Sequence, residues 1–334
     1  MRGVQVSALD GPTAVQVVDL PDPVPTAGQV LIEVHAAGVS FPDVLLSKGQ
    51  YQMKPELPFV PGAEVAGVVL SAPDGCGFGP GDRVAAFPVL GGFAEQVACD
   101  PALVFALPGG VSYAAGAALP MNYLTVDFAL VRRGDLRAGE TVLVQGAAGG
   151  IGVASIQLAS SLDARVIAVV SSPEKAGVAR QAGADEVVMV DGFLGAVKEL
   201  TGGRGVDVVY DAVGGDISLE SLRCVRFGAR HLIVGWAATP FVARGKGRRG
   251  APNANVLPTN LVMMKGLDVL GCPTVISTVN DPSLRAPRLA QILAWVEEGK
   301  IRPYVSHVFA LTDFKQAMRA KWNGDVIGGC VVHP

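Results

Sequence analysis

Charge is scarce in this sequence: Asp, Glu, Lys and Arg make up 17% of its 334 residues, against 50% hydrophobic ones. A chain so apolar can bury enough surface to fold, which excludes disorder driven by charge excess. Charge of one sign is lacking too. With 27 Lys and Arg against 30 Asp and Glu, the net charge is -3, which argues against nucleic acid or an anionic membrane as the main partner. Aromatic residues are few, at 6%, so Val, Leu, Ile and Ala must build the core. The cysteines (Cys76, Cys99, Cys224, Cys272, Cys330) are scattered with no C-x-x-C pair, and no disulfide framework is expected. The histidines (His35, His231, His307, His333) are as dispersed; no metal-ligand spacing is present, and no metal is expected.

A mean hydropathy of +0.40 raises the question of a membrane span, but no apolar run is long enough. The stretch from Pro101 to Val126 is broken by Pro108-Gly109-Gly110 and Pro120, and that from Thr141 to Leu162 by Gly146, Gly149, Gly150 and Gly152. Neither makes a continuous lipid-facing helix of about 20 residues. The first residues, with Arg2, Asp10 and Pro12, contain no apolar signal stretch. The expectation is a soluble cytoplasmic protein.

What is present falls into two domains, as the length also predicts. From Val4 to Ala106, short apolar runs such as Val30-Leu-Ile-Glu-Val-His35 alternate with turns such as Gly79-Pro80-Gly81-Asp82, the pattern of a β-rich, barrel-type module. Helical turns follow at Ser112–Leu119 and Asn122–Arg132. From Glu140, buried strands at Thr141, Arg165, Glu186, Val206 and Arg230 alternate with helices, which predicts a parallel, doubly wound sheet of the α/β class. After Lys265 the pattern is mixed, with strands at Leu267–Gly271 and His307–Leu311, helices at Ser283–Gly299 and Asp313–Lys321, and a final strand at Val326-Ile327. One basic insert, 241–255, carries Arg244, Lys246, Arg248 and Arg249 between glycines. It reads as a solvated loop.

The strongest functional signal is Gln145-Gly-Ala-Ala-Gly-Gly-Ile-Gly152, which follows a buried strand and opens a helix. In register it reads A-x-G-x-x-G, with Ala147, Gly149 and Gly152. A small first residue suits the tight turn, Gly149 lets backbone approach a pyrophosphate, and Gly152 lets helix and strand pack closely. Ala148, Gly150 and Ile151 then present helix-start N–H groups to the anion. About twenty residues on, an NAD site wants a carboxylate for the ribose 2′-hydroxyl. Here Ser171, Ser172 and Lys175 stand there instead. Hydroxyl donors and a cation suit a 2′-phosphate, so NADP(H) is the expected cofactor, provided Lys175 rather than Glu174 turns inward. Gly235-Trp236-Ala237, at the end of a later strand, falls where ligands enter open α/β sheets. Trp236 there is either a wall of the acceptor site or buried against the sheet.

With these motifs in place, the chain resembles the medium-chain dehydrogenase/reductase superfamily, in its zinc-independent quinone oxidoreductase branch, over essentially its whole length. The resemblance rests on Ala37-Gly-Val-Ser-Phe-Pro-Asp43, Leu57-Pro-Phe-Val-Pro-Gly-Ala-Glu-Val-Ala-Gly67, Gly79-Pro-Gly-Asp-Arg-Val84, Gly146 to Gly152, Gly183-Ala-Asp185 and Asp207-Val-Val-Tyr-Asp-Ala-Val-Gly214. It implies a GroES-like catalytic domain in 1–121, a Rossmann NADPH-binding domain in 122–266 and a return to the first domain in 267–334. It also implies a cleft between the two and, commonly, a homodimer. Asn122, Thr125 and Val213 would then join the cofactor residues, with Ser40, Phe41, Tyr51 and Tyr123 as candidates for the substrate pocket. Ser40 and Ala63 stand where the zinc enzymes carry a Cys and a His, and Ser and Ala cannot build a tetrahedral N/S site. Compared with many quinone reductases, Ser40 replaces an Asn, Leu45 a Tyr, and Val190 the Tyr near the 2′-phosphate.

The expected reaction is hydride transfer from NADPH to a small-molecule quinone or enone, with no catalytic side chain assigned. A quinone delocalises the developing charge and demands no strong general acid. Ser40, Tyr51 and Tyr123 are proton-donor candidates whose commoner roles are packing and structural hydrogen bonds. An enoyl or alkenal reductase and an NADPH-binding structural or regulatory protein are the alternatives.

Overall fold

The computed structural model describes residues 1–239, 255–284 and 286–334. Of the basic insert, Arg244, Lys246, Arg248 and Arg249 lie outside the described residues. By its internal contacts the chain divides into two compact units, Met1–Met121 with Pro303–Pro334, and Asn122–Arg302.

In the first unit, short, largely buried strands form a seven-stranded sheet. Its order runs Val305–Ala310, Gly329–His333, Val30–Gly38, Val65–Ser71, Arg83–Ala86 and Val104–Ala106, with Gln96–Cys99 also paired to Val30–Gly38. Val305–Ala310 and Gly329–His333 run parallel, and the other pairs are antiparallel. Val30–Gly38 and Val65–Ser71 approach so closely that a Cβ on Gly67 would lie 1.8 Å from the Glu33 carbonyl oxygen. The core is aliphatic, built on Val4, Val30, Ile32 and Val65, with Phe93 and Phe314 tilted together at 4.5 Å. The expected last strand at Val326-Ile327 is displaced to Gly329–His333. Gly328, at a φ of 69°, turns the chain against Tyr304 and makes only an isolated bridge to Val305, so the continuous strand begins after it.

In the second unit, six strands form a wholly parallel sheet, in the order Glu186–Met189, Arg165–Val170, Thr141–Val144, Val206–Asp211, Val225–Ile233, Asp268–Gly271. Helices Gly150–Ser161, Pro173–Gln181, Phe193–Leu200 and Gly215–Ser221 connect the first five strands in sequence. Thr141–Val144 and Val206–Asp211 are buried at every position, as a sheet covered on both faces requires. The chain leaves Thr141–Val144 toward one edge and later crosses back to the other side, so the strand order reverses between Thr141–Val144 and Val206–Asp211. The expected return at 267 is corrected: Asp268–Gly271 pairs in parallel with Val225–Ile233, and the first unit resumes at Pro303. A short apolar strand fits either sheet, and only its partner decides. The helix expected at 122–132 is α-helical over Pro120–Asp127 and π-helical over Phe128–Arg133. No helix among the described residues is long and apolar enough to cross a membrane.

Candidate dinucleotide site

The glycine-rich loop joins Thr141–Val144 to the helix Gly150–Ser161 at the reversal of strand order, where open α/β sheets bind ligands. Ala147, fully buried, ties the loop to the next strand by donating its N–H to Val169 O at 3.1 Å. A Cβ on Gly152 would lie 2.3 Å from Gly146 O, so the first helical turn can sit on the loop only without a side chain. Among the described residues, a Cβ at Gly149 would meet only Gly146 O, at an ordinary 3.5 Å. The protein itself does not need glycine there; the space it leaves at the helix start does. The first N–H groups of the helix have no intrahelical acceptor and carry the positive end of its dipole. The cradle fits an anionic group.

Asn122 lies against this start: a Cβ on Gly150 would come within 2.9 Å of its side-chain oxygen. Thr125 follows one turn on along Pro120–Asp127, half-buried like Asn122. On the side of Arg165–Val170, Ser172 caps the helix Pro173–Gln181 by accepting the Lys175 N–H at 3.3 Å. The Lys175 ammonium donates to Ser171 Oγ at 3.1 Å, while Glu174 is exposed. The strand end therefore gathers two hydroxyls and a cation, the set that suits a phosphate. Val190 is half-buried and packs against the core.

On the other side, Val213 touches the loop, since a Cβ on Gly146 would lie 3.1 Å from its Cγ2. The turn after Val206–Asp211 and the segment Gly235-Trp236-Ala237 are joined by backbone hydrogen bonds, among them Val234 N to Asp211 O at 2.8 Å and Ala238 N to Val213 O at 2.9 Å. Trp236 is not buried against the sheet; it is 39% exposed. Beneath this turn lies a pair that the linear sequence does not reveal. Asp211 faces His231 in the sheet interior, Oδ2 to Nε2 at 3.2 Å. The two are separated by a helix and a strand, and only the parallel register brings them together.

The pocket candidates are divided between the units. Tyr123 is corrected: it is 2% exposed, and its hydroxyl donates to Gln157 Oε1 at 2.7 Å. Gln157 in turn bonds Arg302 through both backbone groups. A phenol buried this deeply needs an internal partner, and burial raises its pKa. In the first unit, Ser40 caps the helix Phe41–Ser47, its N–H and Oγ both donating to Asp43 Oδ2, at 2.8 and 2.5 Å. The S-x-x-D spacing resembles a capping box and was the available signal for this pair. Phe41 stacks on Trp322 at 5.8 Å, and the Lys48 ammonium sits 3.2 Å from the Trp322 ring centre. Tyr51 is half-buried, its pKa raised by burial and by Asp43.

Below Ser40 the first unit holds a charge cluster that sequence reasoning missed. Burial lifts Asp43 to about 6, although bonds from Ser40 and Gly62 and the charge of Lys321 oppose the shift. Glu64 accepts the Met121 N–H at 2.9 Å. Burial raises it to about 8, with Asp43 adding to the shift. Burial lowers the pKa of Lys321, against the attraction of Cys330, Glu64 and Asp43.

Residues 26–115 match the family described as alcohol dehydrogenase GroES-like domain, and residues 150–283 the family described as zinc-binding dehydrogenase. The chain is 37% identical over 293 residues to quinone oxidoreductase-like protein 2 of Bos taurus, spanning 86% of this chain and 80% of that relative. A probable oxidoreductase from Mycobacterium abscessus superposes with a TM-score of 0.88 at 38% identity, covering 100% of this chain and 99% of its own. The quinone oxidoreductase from Thermus thermophilus, solved also in complex with NADPH, superposes with a TM-score of 0.86 at 32% identity, covering 100% of both chains.

Proposed function

Since the chain belongs to the medium-chain dehydrogenase/reductase superfamily, in its quinone oxidoreductase branch, we propose that it reduces a quinone or similar conjugated carbonyl without zinc. It is an NADPH-dependent oxidoreductase. When bound, NADPH supplies the hydride from its reduced ring. The loop and first helical turn from Ala147 to Gly152 hold the pyrophosphate on backbone N–H groups, in the space left by Gly149. Ser171, Ser172 and Lys175 hold the 2′-phosphate, and Asn122, Thr125, Val213 and the Gly235–Ala237 segment contact the rest of the dinucleotide. The observation that carries the cofactor half of this reading is the Lys175 ammonium turned onto Ser171 at the strand end. Replacing Lys175 by Ala should raise the KM for NADPH about tenfold and leave that for NADH nearly unchanged. Equal losses for both cofactors would remove the 2′-phosphate from this position.

For the acceptor, the zinc-free reading rests on residue chemistry. Ser40 is already committed to Asp43 and Ala63 presents a methyl group, so neither offers the thiolate or imidazole that zinc takes. Without a metal, the acceptor oxygen must be stabilised by hydrogen bonds, which suffices for a quinone because its reduced oxygen is weakly basic. Ser40, Phe41 and Tyr51 remain the proposed acceptor residues. The reading includes a cytoplasmic homodimer. Its test is NADPH consumption over a panel of quinones and enones, with zinc measured on the purified protein. Turnover of quinones at substoichiometric zinc is expected. Turnover confined to enones would replace the quinone reading with an alkenal reductase, and no turnover with either would replace it with a binding role.

A further inference from the structure

We infer that Asp211 and His231 are a buried positioning pair that shapes the 212–214 turn for the nicotinamide half of the dinucleotide. The inference rests on the NADPH site proposed above. Asp211 is the last residue of its strand and 1% exposed, an expensive place for a carboxylate. Among the described residues its partners are hydrogen-bond donors, none of them a Lys or Arg. Oδ1 accepts the N–H of Val213 at 3.0 Å and of Gly214 at 2.9 Å, and Oδ2 faces His231 Nε2 at 3.2 Å. Ser218 stands beside them, its Oγ 3.4 Å from the same imidazole nitrogen. Burial alone would raise the Asp211 pKa; the bonds from His231, Gly214 and Ser218 hold it below the usual carboxylate range. The backbone oxygen of Asp211 also accepts Val234 N at 2.8 Å and Gly235 N at 3.3 Å. One residue thus fixes both turns on this side of the glycine loop.

The choice of histidine points the same way. His231 is wholly buried in a strand where Val209 and Val269 are its neighbours in register. Among the described residues its Nδ1 has no hydrogen-bond partner. An aliphatic residue would fill this place without that loss. With Asp211 ionised, Nε2 must carry the proton and donate it, and that single N–H is what a valine could not supply. The turn it supports is strained away from ordinary side chains: Gly214 has a φ of 74°, and a Cβ there would strike the Trp236 backbone at 3.1 Å. Val213, next to it, is the residue that touches the loop at Gly146. The pyrophosphate cradle lies at the reversal of strand order and Ser171–Lys175 lie on one side of it, so the Asp211 turn lies on the side left for the nicotinamide half.

The test separates the two halves of the cofactor. Binding of NADPH and of adenosine 2′,5′-bisphosphate, which fills only the adenosine half, is measured by calorimetry on the intact protein and on His231→Leu, His231→Gln and Ser218→Ala. His231→Leu should raise the NADPH Kd about tenfold, the scale of one hydrogen bond to a charged group. The bisphosphate should bind within twofold of the parent protein, and His231→Gln, whose amide N–H replaces the lost donor, should recover most of the affinity. Should His231→Leu fail to fold, Ser218→Ala removes only a hydroxyl and is expected to shift the NADPH Kd two- to threefold in the same direction. An unchanged NADPH Kd in the folded variants, an equal loss for both ligands, or no recovery in His231→Gln would overturn the inference. Failure of the parent protein to bind the bisphosphate would instead count against the 2′-phosphate assignment, and the NADPH comparison would still decide the role of the pair.

Discussion

A methyl group added at Gly152 would sit 2.3 Å from the Gly146 carbonyl oxygen, whereas one added at Gly149 would meet nothing closer than 3.5 Å. The two glycines, three residues apart in one motif, therefore answer to different constraints. Gly152→Ala should destabilise the folded protein by about 1–3 kcal/mol through overpacking. Gly149→Ala should leave the denaturation midpoint unchanged and weaken NADPH binding at least tenfold, because the methyl would occupy the place proposed for the pyrophosphate. Denaturation and binding measured together distinguish them; a Gly149→Ala protein that binds NADPH normally would empty the cradle of its meaning. Both glycines were readable from spacing, since the motif is local. The state of Tyr123 was not, because its partner Gln157 and the depth of its burial depend on how a distant helix packs.

At the scale of elements, the helix Phe41–Ser47, the segment carrying Glu64 and the helix Phe314–Asn323 enclose two carboxyls and an amine in the first unit. Glu64 titrates at about 8 rather than its usual 4.5. Between those values the folded chain keeps a proton that the unfolded chain has lost, so this contribution falls as pH rises across the window and levels off above it. Asp43, at about 6 rather than 3.8, acts in the same direction lower down. Lys321, lowered from 10.5, acts oppositely, its contribution rising with pH from its lowered value up to 10.5. Glu64→Gln should therefore nearly match the parent protein near pH 5 and exceed it by about 3–4 kcal/mol near pH 8. Urea denaturation at both values checks this, and an equal slope in the two proteins would rule it out. The Ser40–Asp43 contact was legible as a spacing on one helix. The approach of Glu64 and Lys321 was not, since they lie far apart in the sequence and on different elements.

At the scale of the whole molecule, the proposed homodimer is expected to sediment at twice 34.4 kDa. The strand Asp268–Gly271 supports it, as the last strand in the order of the parallel sheet, with a single neighbour among the described residues. An open edge of this kind is a template for another strand, and a monomer at micromolar concentration would exclude the dimer.

Read alone, the sequence determined the class of each unit and the nucleotide motif, and it supplied the residues proposed for the 2′-phosphate. These depend on periodicity and short spacings that act within one strand, turn or helix. Tertiary structure alone decided that Asp268–Gly271 joins the parallel sheet, that Trp236 is exposed, that Tyr123 bonds Gln157 and that His231 reaches Asp211. Each of these depends on which strand or helix lies alongside. That choice is set by burial and register summed over many residues, so no single stretch of the chain carries it.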